Sequence, residues 1–309
     1  MSVKNELLAV KASRPTVLTI GVFDGVHLGH KHLLSQVKAL AAKLGIASGA
    51  VIIKNSPQEV LVPGTKVSYI TMPEQRVQLM KDFGITYPCP ITFTDEVRNL
   101  SPREWAQVLQ DNLKMRGLVI GPDFAMGKGR AGTEPVIREL GRELGFEVAA
   151  SQPYKADEHV VSSTLIRHAL ASGDIDHASR MLGRPYAVTG LVVKGKERGK
   201  SLGFPTANVS YPSNQILPLN GIYSAWAVVD GKRYASAVST GVNPTFGDLT
   251  QASLEAHLID FEGNLYGKTL SVEFVSRLRG ETKFATVDEL KTQIAVDVQQ
   301  AKALLFSKQ

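Results

Sequence analysis

Gly21-Val22-Phe23-Asp24-Gly25-Val26-His27-Leu28-Gly29-His30 decides how the rest of the chain is read. The apolar run Thr16-Val17-Leu18-Thr19-Ile20 precedes it, and a segment with helical periodicity, His30 to Leu44, follows. These patterns predict a buried strand, a tight glycine turn and an amphipathic helix, in that order. A helix N-terminus carries unpaired backbone N–H groups and partial positive charge, so a glycine turn feeding one is a natural seat for phosphate. His27 and His30 stand three apart and share a face if both lie in the first helical turn. Two imidazoles there can donate to a triphosphate and to the charge that grows on it during displacement. Taken alone, a His-x-x-His is more often a pair of polar residues at a helix start. A zinc site finds no third ligand at a metal-site spacing, and Cys89 is remote in the sequence.

The ten-residue string as a whole resembles the G-x-F-D-G-x-H-x-G-H motif of the nucleotidyltransferase superfamily, specifically the FMN adenylyltransferase half of bacterial bifunctional riboflavin kinase/FAD synthetases. The resemblance implies a Rossmann-like, doubly wound domain. In it Gly21, Phe23, Asp24, Gly25 and Gly29 surround ATP, and His27 and His30 stabilise its phosphates.

At 309 residues, 43% of them hydrophobic, the chain can fill two cores. A single cysteine excludes an internal disulfide and fits a reducing, cytoplasmic compartment; between Pro88 and Pro90, Cys89 reads as a packed small side chain. The run Leu7-Leu8-Ala9-Val10 is too short for a signal core and no later run approaches a bilayer span, so no membrane partner is expected. The formal charge of +6 invites a nucleic-acid partner, but the basic residues are scattered or lie in glycine-rich loops with few aromatics between them. Polyanionic small molecules such as ATP account for the same balance, and no nucleic-acid partner is expected. Nothing in the sequence sets the oligomeric state.

Further strands are predicted at Ile46 to Ile53, Ile91 to Phe93, Leu118 to Ile120 and Phe146 to Ala150, alternating with helices at Met72 to Phe83, after the Ser101-Pro102-Arg103-Glu104 capping box, and at Pro135 to Leu144. After the second strand the family carries an aromatic-x-Pro-His-Pro pattern where this chain has Ile53-Lys54-Asn55-Ser56-Pro57, with Ser56 in place of the histidine. Gly121-Pro122-Asp123-Phe124-Ala125-Met126-Gly127-Lys128-Gly129-Arg130-Ala131-Gly132 resembles the family's G-x-D-F-x-x-G-x-x-R-x-G loop, which makes Asp123, Phe124 and Arg130 candidate flavin contacts. Val161-Ser162-Ser163-Thr164-Leu165-Ile166-Arg167 by itself is an ordinary hydroxyl cap before a helix. It also resembles the family's S-S-T-x-I-R motif, which implies that Ser163 and Thr164 contact ATP and that Arg167 stabilises its phosphates. Val160 and Leu165 stand where relatives carry basic residues.

Gly183-Arg184-Pro185 stops a short helix that begins at Gly173-Asp174, and there the texture changes. Runs at Tyr186 to Lys194, Gly221 to Val229, Lys232 to Thr240, Leu254 to Ile259 and Thr269 to Leu278, with an Asp230-Gly231 hairpin turn, predict an antiparallel β-barrel. A closing helix, Val287 to Leu305, would cover one end. The expected domains are therefore 1–183, α/β, and 184–309, β. The loop Lys194 to Gly203, with three lysines and an arginine among glycines, suits polyphosphate or plain solvent. It leads into Gly203-Phe204-Pro205-Thr206-Ala207-Asn208, which looks like the G-F-P-T-A-N motif of riboflavin kinases. By that resemblance Thr206 and Asn208 hold Mg²⁺, and Gly195, Lys200 and Gly203 contact ATP. Gly241 to Gly247, Leu254 to Phe261 and Leu265 to Lys268 also look like riboflavin kinase segments. Glu255 on an otherwise apolar strand faces either outward into solvent or inward with a chemical role; the resemblance makes it the base that accepts the proton of the riboflavin 5′-hydroxyl. His257, two residues on, reads as structural, and Arg277 and Arg279 are further candidates for flavin or nucleotide.

The expected function is two-fold: riboflavin plus ATP to FMN, then FMN plus ATP to FAD and pyrophosphate. The rival is an active kinase whose adenylyltransferase half is impaired or altered, motivated by Ser56, Val160 and Leu165. A more distant rival starts from His27-Leu28-Gly29-His30, which also resembles the HIGH motif of class I aminoacyl-tRNA synthetases. No KMSKS-like partner accompanies it.

Overall fold

The computed structural model describes residues 2–156, 159–195, 198–242 and 252–307, less the side chains of 198, 200 and 242. The chain divides into two compact units, Met1–Ser163 and Thr164–Gln309.

The first unit runs α1 (Val3–Leu8), β1 (Thr16–Leu18), β2 (Ile20–Gly21), α2 (Leu28–Leu44), β3 (Ala47–Ile53), α3 (Pro57–Leu61), α4 (Pro73–Asp82), β4 (Tyr87–Ile91), α5 (Asp95–Asn99), α6 (Pro102–Leu113), β5 (Met115–Ile120), α7 (Glu134–Leu144), β6 (Glu147–Ala150), β7 (Lys155–Ala156) and β8 (His159–Val160). Both β1 and β2 pair with β3, Thr16 against Ala47 and Ile20 against Val51, so they are two lengths of one strand interrupted at Thr19. The sheet is parallel, with β4 and β1 flanking β3 and β5 and β6 following β1. The order reverses at β1, and the loops leaving β2 and β5 therefore open the crevice where doubly wound sheets bind ligands. Successive residues of β3 enter different cores. Ala50 and Ile52 meet Leu34 of α2 and Met80 of α4, while Val51 meets Leu7 of α1, Trp105 and Leu109 of α6 and Ile137 of α7.

One strand differs from expectation. The pairing segment is Tyr87–Ile91 rather than Ile91 to Phe93, and it contains Pro88 and Pro90. It lies at the sheet edge beside β3, where a proline's missing N–H costs no ladder bond. Cys89 within it is fully buried, and burial, with the Glu6 carboxylate, pushes its thiol up to about 12; it is a packing residue. The Ser101 capping box forms as expected, Ser101 N–H donating to Glu104 (2.7 Å) and Glu104 N–H to Ser101 Oγ (3.2 Å).

Glu6 fastens α1 to the sheet by accepting from Lys54 Nζ (2.7 Å), Thr92 N–H (2.7 Å) and Thr92 Oγ1 (2.9 Å). Burial alone raises its pKa, but these donors outweigh burial and hold the carboxyl below its ordinary value. A depressed carboxylate stabilises the fold above its unfolded pKa of about 4.3 and loses that contribution as pH falls through the folded value. Glu6→Gln is therefore expected to lower the Tm of the first unit by about 3 °C at pH 7. Thermal melts at pH 7 and pH 3 check this: the gap between variant and parent should close in acid, and a gap that persists there contradicts it.

The second unit holds α8 (Ser163–Ser172, its first residue still in the first unit), α9 (Ile175–Leu182), β9 (Tyr186–Val193), α10 (Arg198–Ser201), β10 (Ala207–Ser210), β11 (Gly221–Val229), β12 (Lys232–Val242), β13 (Ala252–Leu258), β14 (Thr269–Arg279) and α11 (Val287–Ser307). The break precedes Gly183 because α9 packs against β9 and β14. The strands form a closed antiparallel barrel in the order β10-β13-β12-β11-β14-β9. Sequence periodicity misses β10, which is short and sits within the G-F-P-T-A-N string. Ala207, Val209, Val238, Leu254, Ala256 and Leu258 are buried lining residues, so the alternate positions Asn208, Ser239, Glu255 and His257 stand on the outer face. α11 covers another part of that face through Val298, Ala301 and Leu305. Arg279 grips its buried Asp297 with both Nε (2.9 Å) and Nη2 (2.7 Å). Arg279 thereby anchors α11. Among the described residues no helix is long and apolar enough to cross a membrane.

Candidate active sites

At the crevice of the first unit the helix start is built by the two histidines. His27 is the N-cap of α2, its Nδ1 accepting from His30 N–H at 3.3 Å. That bond fixes His27 as the tautomer with hydrogen on Nε2. The two rings stack, centroids 3.6 Å apart and planes 18° apart, and Phe23 meets His30 edge-on at 5.2 Å. Gly29 allows this: a Cβ there would lie 3.1 Å from both the His27 ring and the Val161 carbonyl. Burial, then His27 and Arg76, hold the His30 imidazole well below its ordinary pKa, so it is neutral at pH 7. Its Nδ1 is buried and unpartnered, an orphaned polar atom at a helix N-terminus.

Asp24 ties the glycine turn to the segment before α4. Its carboxylate is buried and accepts from the N–H groups of Ile70 (3.0 Å) and Thr71 (3.0 Å) and from Thr71 Oγ1 (3.3 Å), with Arg76 behind it at 3.5 Å. Its backbone carbonyl accepts from Ser163 Oγ at 2.8 Å. The loop after β5 is closed on itself by paired Met126 and Gly132 backbone bonds and by Arg130 donating to the Asp123 carbonyl at 3.0 Å. Phe124 packs against the core beneath it. Thr164 and Arg167 lie on α8 in the second unit.

On the outer face of the barrel, β10 and β13 set Asn208 directly opposite Glu255. Thr206 Oγ1 donates to Glu255 Oε2 at 3.3 Å. Of the two orientations left open for Glu255 the outward one is adopted, yet the residue is half-buried rather than solvated, because the Thr206 loop crosses it. His257 supports that loop, its Nδ1 bonding the Pro205 carbonyl at 2.8 Å and its ring meeting Phe204 edge-on at 5.6 Å. Gly195 closes the cluster from β9: a Cβ on it would fall 2.1 Å from the Asn208 amide. The oxygens of Thr206, Asn208 and Glu255 are hard donors, with a single carboxylate, which fits Mg²⁺ completed by phosphate and water. Gly203 ends the turn after α10, and Lys200 lies on α10 with its side chain outside the described residues, as are Lys196, Glu197 and 243–247. Arg277 Nη2 donates to the Asn220 carbonyl at 3.0 Å.

Comparison with known proteins matches residues 9–165 to the FAD synthetase family and residues 182–305 to the riboflavin kinase family. A bifunctional riboflavin kinase/FMN adenylyltransferase from Pseudomonas fluorescens is 38% identical over 94% of this chain and 93% of its own. Those from Escherichia coli and Bacillus subtilis are 33% and 32% identical, covering 91% and 93% of this chain and 90% and 91% of theirs. The chain belongs to the bifunctional riboflavin kinase/FMN adenylyltransferase family. A crystal structure titled as a macrolide-efflux protein from Streptococcus pneumoniae is similar to the chain, with a TM-score of 0.86, 28% identity and coverage of 93% and 94%.

Within this riboflavin kinase/FMN adenylyltransferase frame the substituted loop after β3 is well built. Asn55 clamps Phe93 through paired side-chain bonds (2.8 and 3.0 Å), and Ser56 caps α3 in a capping box with Glu59. Tyr69 completes it, accepting from Ser56 N–H at 2.6 Å and donating to Glu59 at 2.5 Å. Val160 and Leu165 are exposed apolar residues. None of the comparisons favours an impaired adenylyltransferase. Sequence reasoning missed Arg76, Thr71 and Tyr69, which organise the first crevice. One signal was available: Arg76 and Met80 are one helical turn apart on the buried stripe of α4, where an arginine is out of place unless it has acceptors.

Proposed function

We propose that the chain phosphorylates riboflavin to FMN and adenylylates FMN to FAD, at two ATP sites that share no catalytic residue. The kinase site is the barrel cluster of Glu255, Thr206 and Asn208, and the single observation that carries this assignment is the Thr206–Glu255 hydrogen bond across β10 and β13. The riboflavin 5′-hydroxyl must lose its proton as it attacks the γ-phosphorus, and Glu255 accepts it. Thr206 commits its hydrogen to Glu255, which leaves its lone pairs for a cation. Mg²⁺ held by Thr206 and Asn208 supplies charge neutralisation on the ATP phosphates. Gly195 leaves room for them, and Lys200 and Gly203 complete the loop.

In the first unit the nucleophile is the FMN phosphate, mostly dianionic at neutral pH because its second pKa is about 6. No protein base is needed, and the site only aligns and neutralises. His27 and His30 stabilise the phosphates, and for Arg167 the resemblance of its motif implies the same role. Gly21, Gly25, Gly29, Phe23, Ser163 and Thr164 shape the nucleotide seat, and Asp123, Phe124 and Arg130 border the flavin. The functional division falls at 183/184, and the enzyme works in the cytoplasm.

Chromatographic assays of riboflavin to FMN and of FMN to FAD test the two halves separately. Thr206→Val is expected to raise the Mg²⁺ concentration for half-maximal FMN formation by about 10-fold. An unchanged Mg²⁺ titration at fixed ATP would remove Thr206 from the metal site.

A further inference from the structure

We propose that Arg76 is the positioning residue of the adenylyl-transfer site: its guanidinium locks the glycine turn, the end of β3 and the segment before α4 into one frame, and thereby sets where His27 and His30 stand. The proposal rests on the reading that His30 acts on the phosphates of ATP.

Arg76 is fully buried on α4. Its Nε (3.0 Å) and Nη2 (2.8 Å) both donate to the Thr71 carbonyl, and Nη1 donates to the carbonyls of Val22, Ile53 and Lys54, each at 3.2 Å. Nη2 also lies 3.5 Å from Asp24 Oδ1. Through Asp24 the frame reaches the N–H groups of Ile70 and Thr71, and Thr71 Oγ1 in turn accepts from Gly25 N–H at 2.8 Å. Its guanidinium also covers the Tyr69 ring at 4.9 Å, and Tyr69 holds the Ser56 loop. One side chain therefore reaches the backbone on both sides of the crevice floor.

The turn needs such a frame. Phe23 (φ 52°) and the β-branched Val26 (φ 41°) both occupy the left-handed region on either side of Asp24, and such conformations persist only where the surroundings over-determine them. Val26 immediately precedes the N-cap His27, so relaxing this strain moves the capping imidazole and the ring stacked on it. Lysine cannot substitute fully: an ammonium is one point with three donors, whereas the planar fork serves carbonyls in several directions. An aliphatic side chain leaves those buried carbonyls without donors.

A mutant cycle on the full chain separates positioning from plain structural support, with FMN formation from riboflavin as an internal measure of chain integrity. Arg76→Met is expected to lower kcat for FAD formation about 100-fold and Arg76→Lys about 10-fold, with FMN formation within about two-fold of the parent. In a background with both His27→Ala and His30→Ala, Arg76→Met should cost no more than about three-fold further, because the groups it positions are already gone. A full, additive loss in that background, or equal loss of FMN and FAD formation, overturns the positioning role while leaving His30 in place. A parental FAD rate for His30→Ala alone overturns the reading of His30 and this proposal with it. If Arg76→Met does not fold, Arg76→Lys carries the same cycle.

Discussion

Glu255→Ala is expected to lower FMN formation from riboflavin and ATP by about 10³-fold, with FAD formation from supplied FMN at the parental rate. The size of the effect follows from the nucleophile. A primary hydroxyl is a poor nucleophile until its proton is taken, and the Glu255 carboxylate stands beside the Thr206 and Asn208 oxygens proposed to hold the metal. The selectivity follows from the fold, since β10 and β13 belong to the barrel and the glycine turn to the parallel sheet. Glu255→Gln sharpens the test: it keeps the shape and an acceptor for Thr206 but cannot take up the proton, so it should be about as inactive as alanine. If the glutamine variant retains near-parental FMN formation, Glu255 positions Thr206 and the base lies elsewhere. Equal loss of both products from Glu255→Ala would contradict the assignment of one activity to each site.

Much of this arrangement is legible in the sequence because its signals are local. The strand, turn and helix around Gly21 to Leu44 follow from periodicity, the Ser101 capping box from spacing, and the Asp230-Gly231 hairpin from turn chemistry. What stays hidden depends on residues distant in sequence. Whether Glu255 faces solvent cannot be read from alternation, because the answer lies in a loop some fifty positions earlier, whose Thr206 crosses the outer face. Pro88 and Pro90 speak against a strand until β4 is known to be an edge. Asp24 reads as a ligand contact because it sits in the motif, yet its carboxylate is turned inward toward Ile70, Thr71 and Arg76. Motif membership thus locates a site without saying which members touch substrate and which hold the others in place.

His30→Ala should reduce FAD formation by about 10²-fold and leave FMN formation unchanged, and the pH profile says how the residue acts. Burial first, then unfavourable electrostatics with the His27 ring and the Arg76 cation, holds the His30 pKa well below its ordinary value and the imidazole neutral. For a histidine a depressed pKa means that the neutral form prevails through physiological pH and that the fold loses stability in acid, where the ring must be charged. A neutral imidazole stabilises developing phosphate charge as a hydrogen-bond donor, and the buried, partnerless Nδ1 is the atom left to make that contact. The parent should therefore show no His30 limb in kcat for FAD formation between pH 6.5 and about 8.5. His30→Asn, which retains a neutral N–H donor, should recover more activity than alanine. A parental rate that climbs as pH falls through about 6.5, and loses that climb in His30→Ala, would show instead that the ring works as a cation. In that case the low-dielectric pocket around Phe23 and His27 would have to open before adenylyl transfer, because a second positive charge beside Arg76 is disfavoured in the closed arrangement.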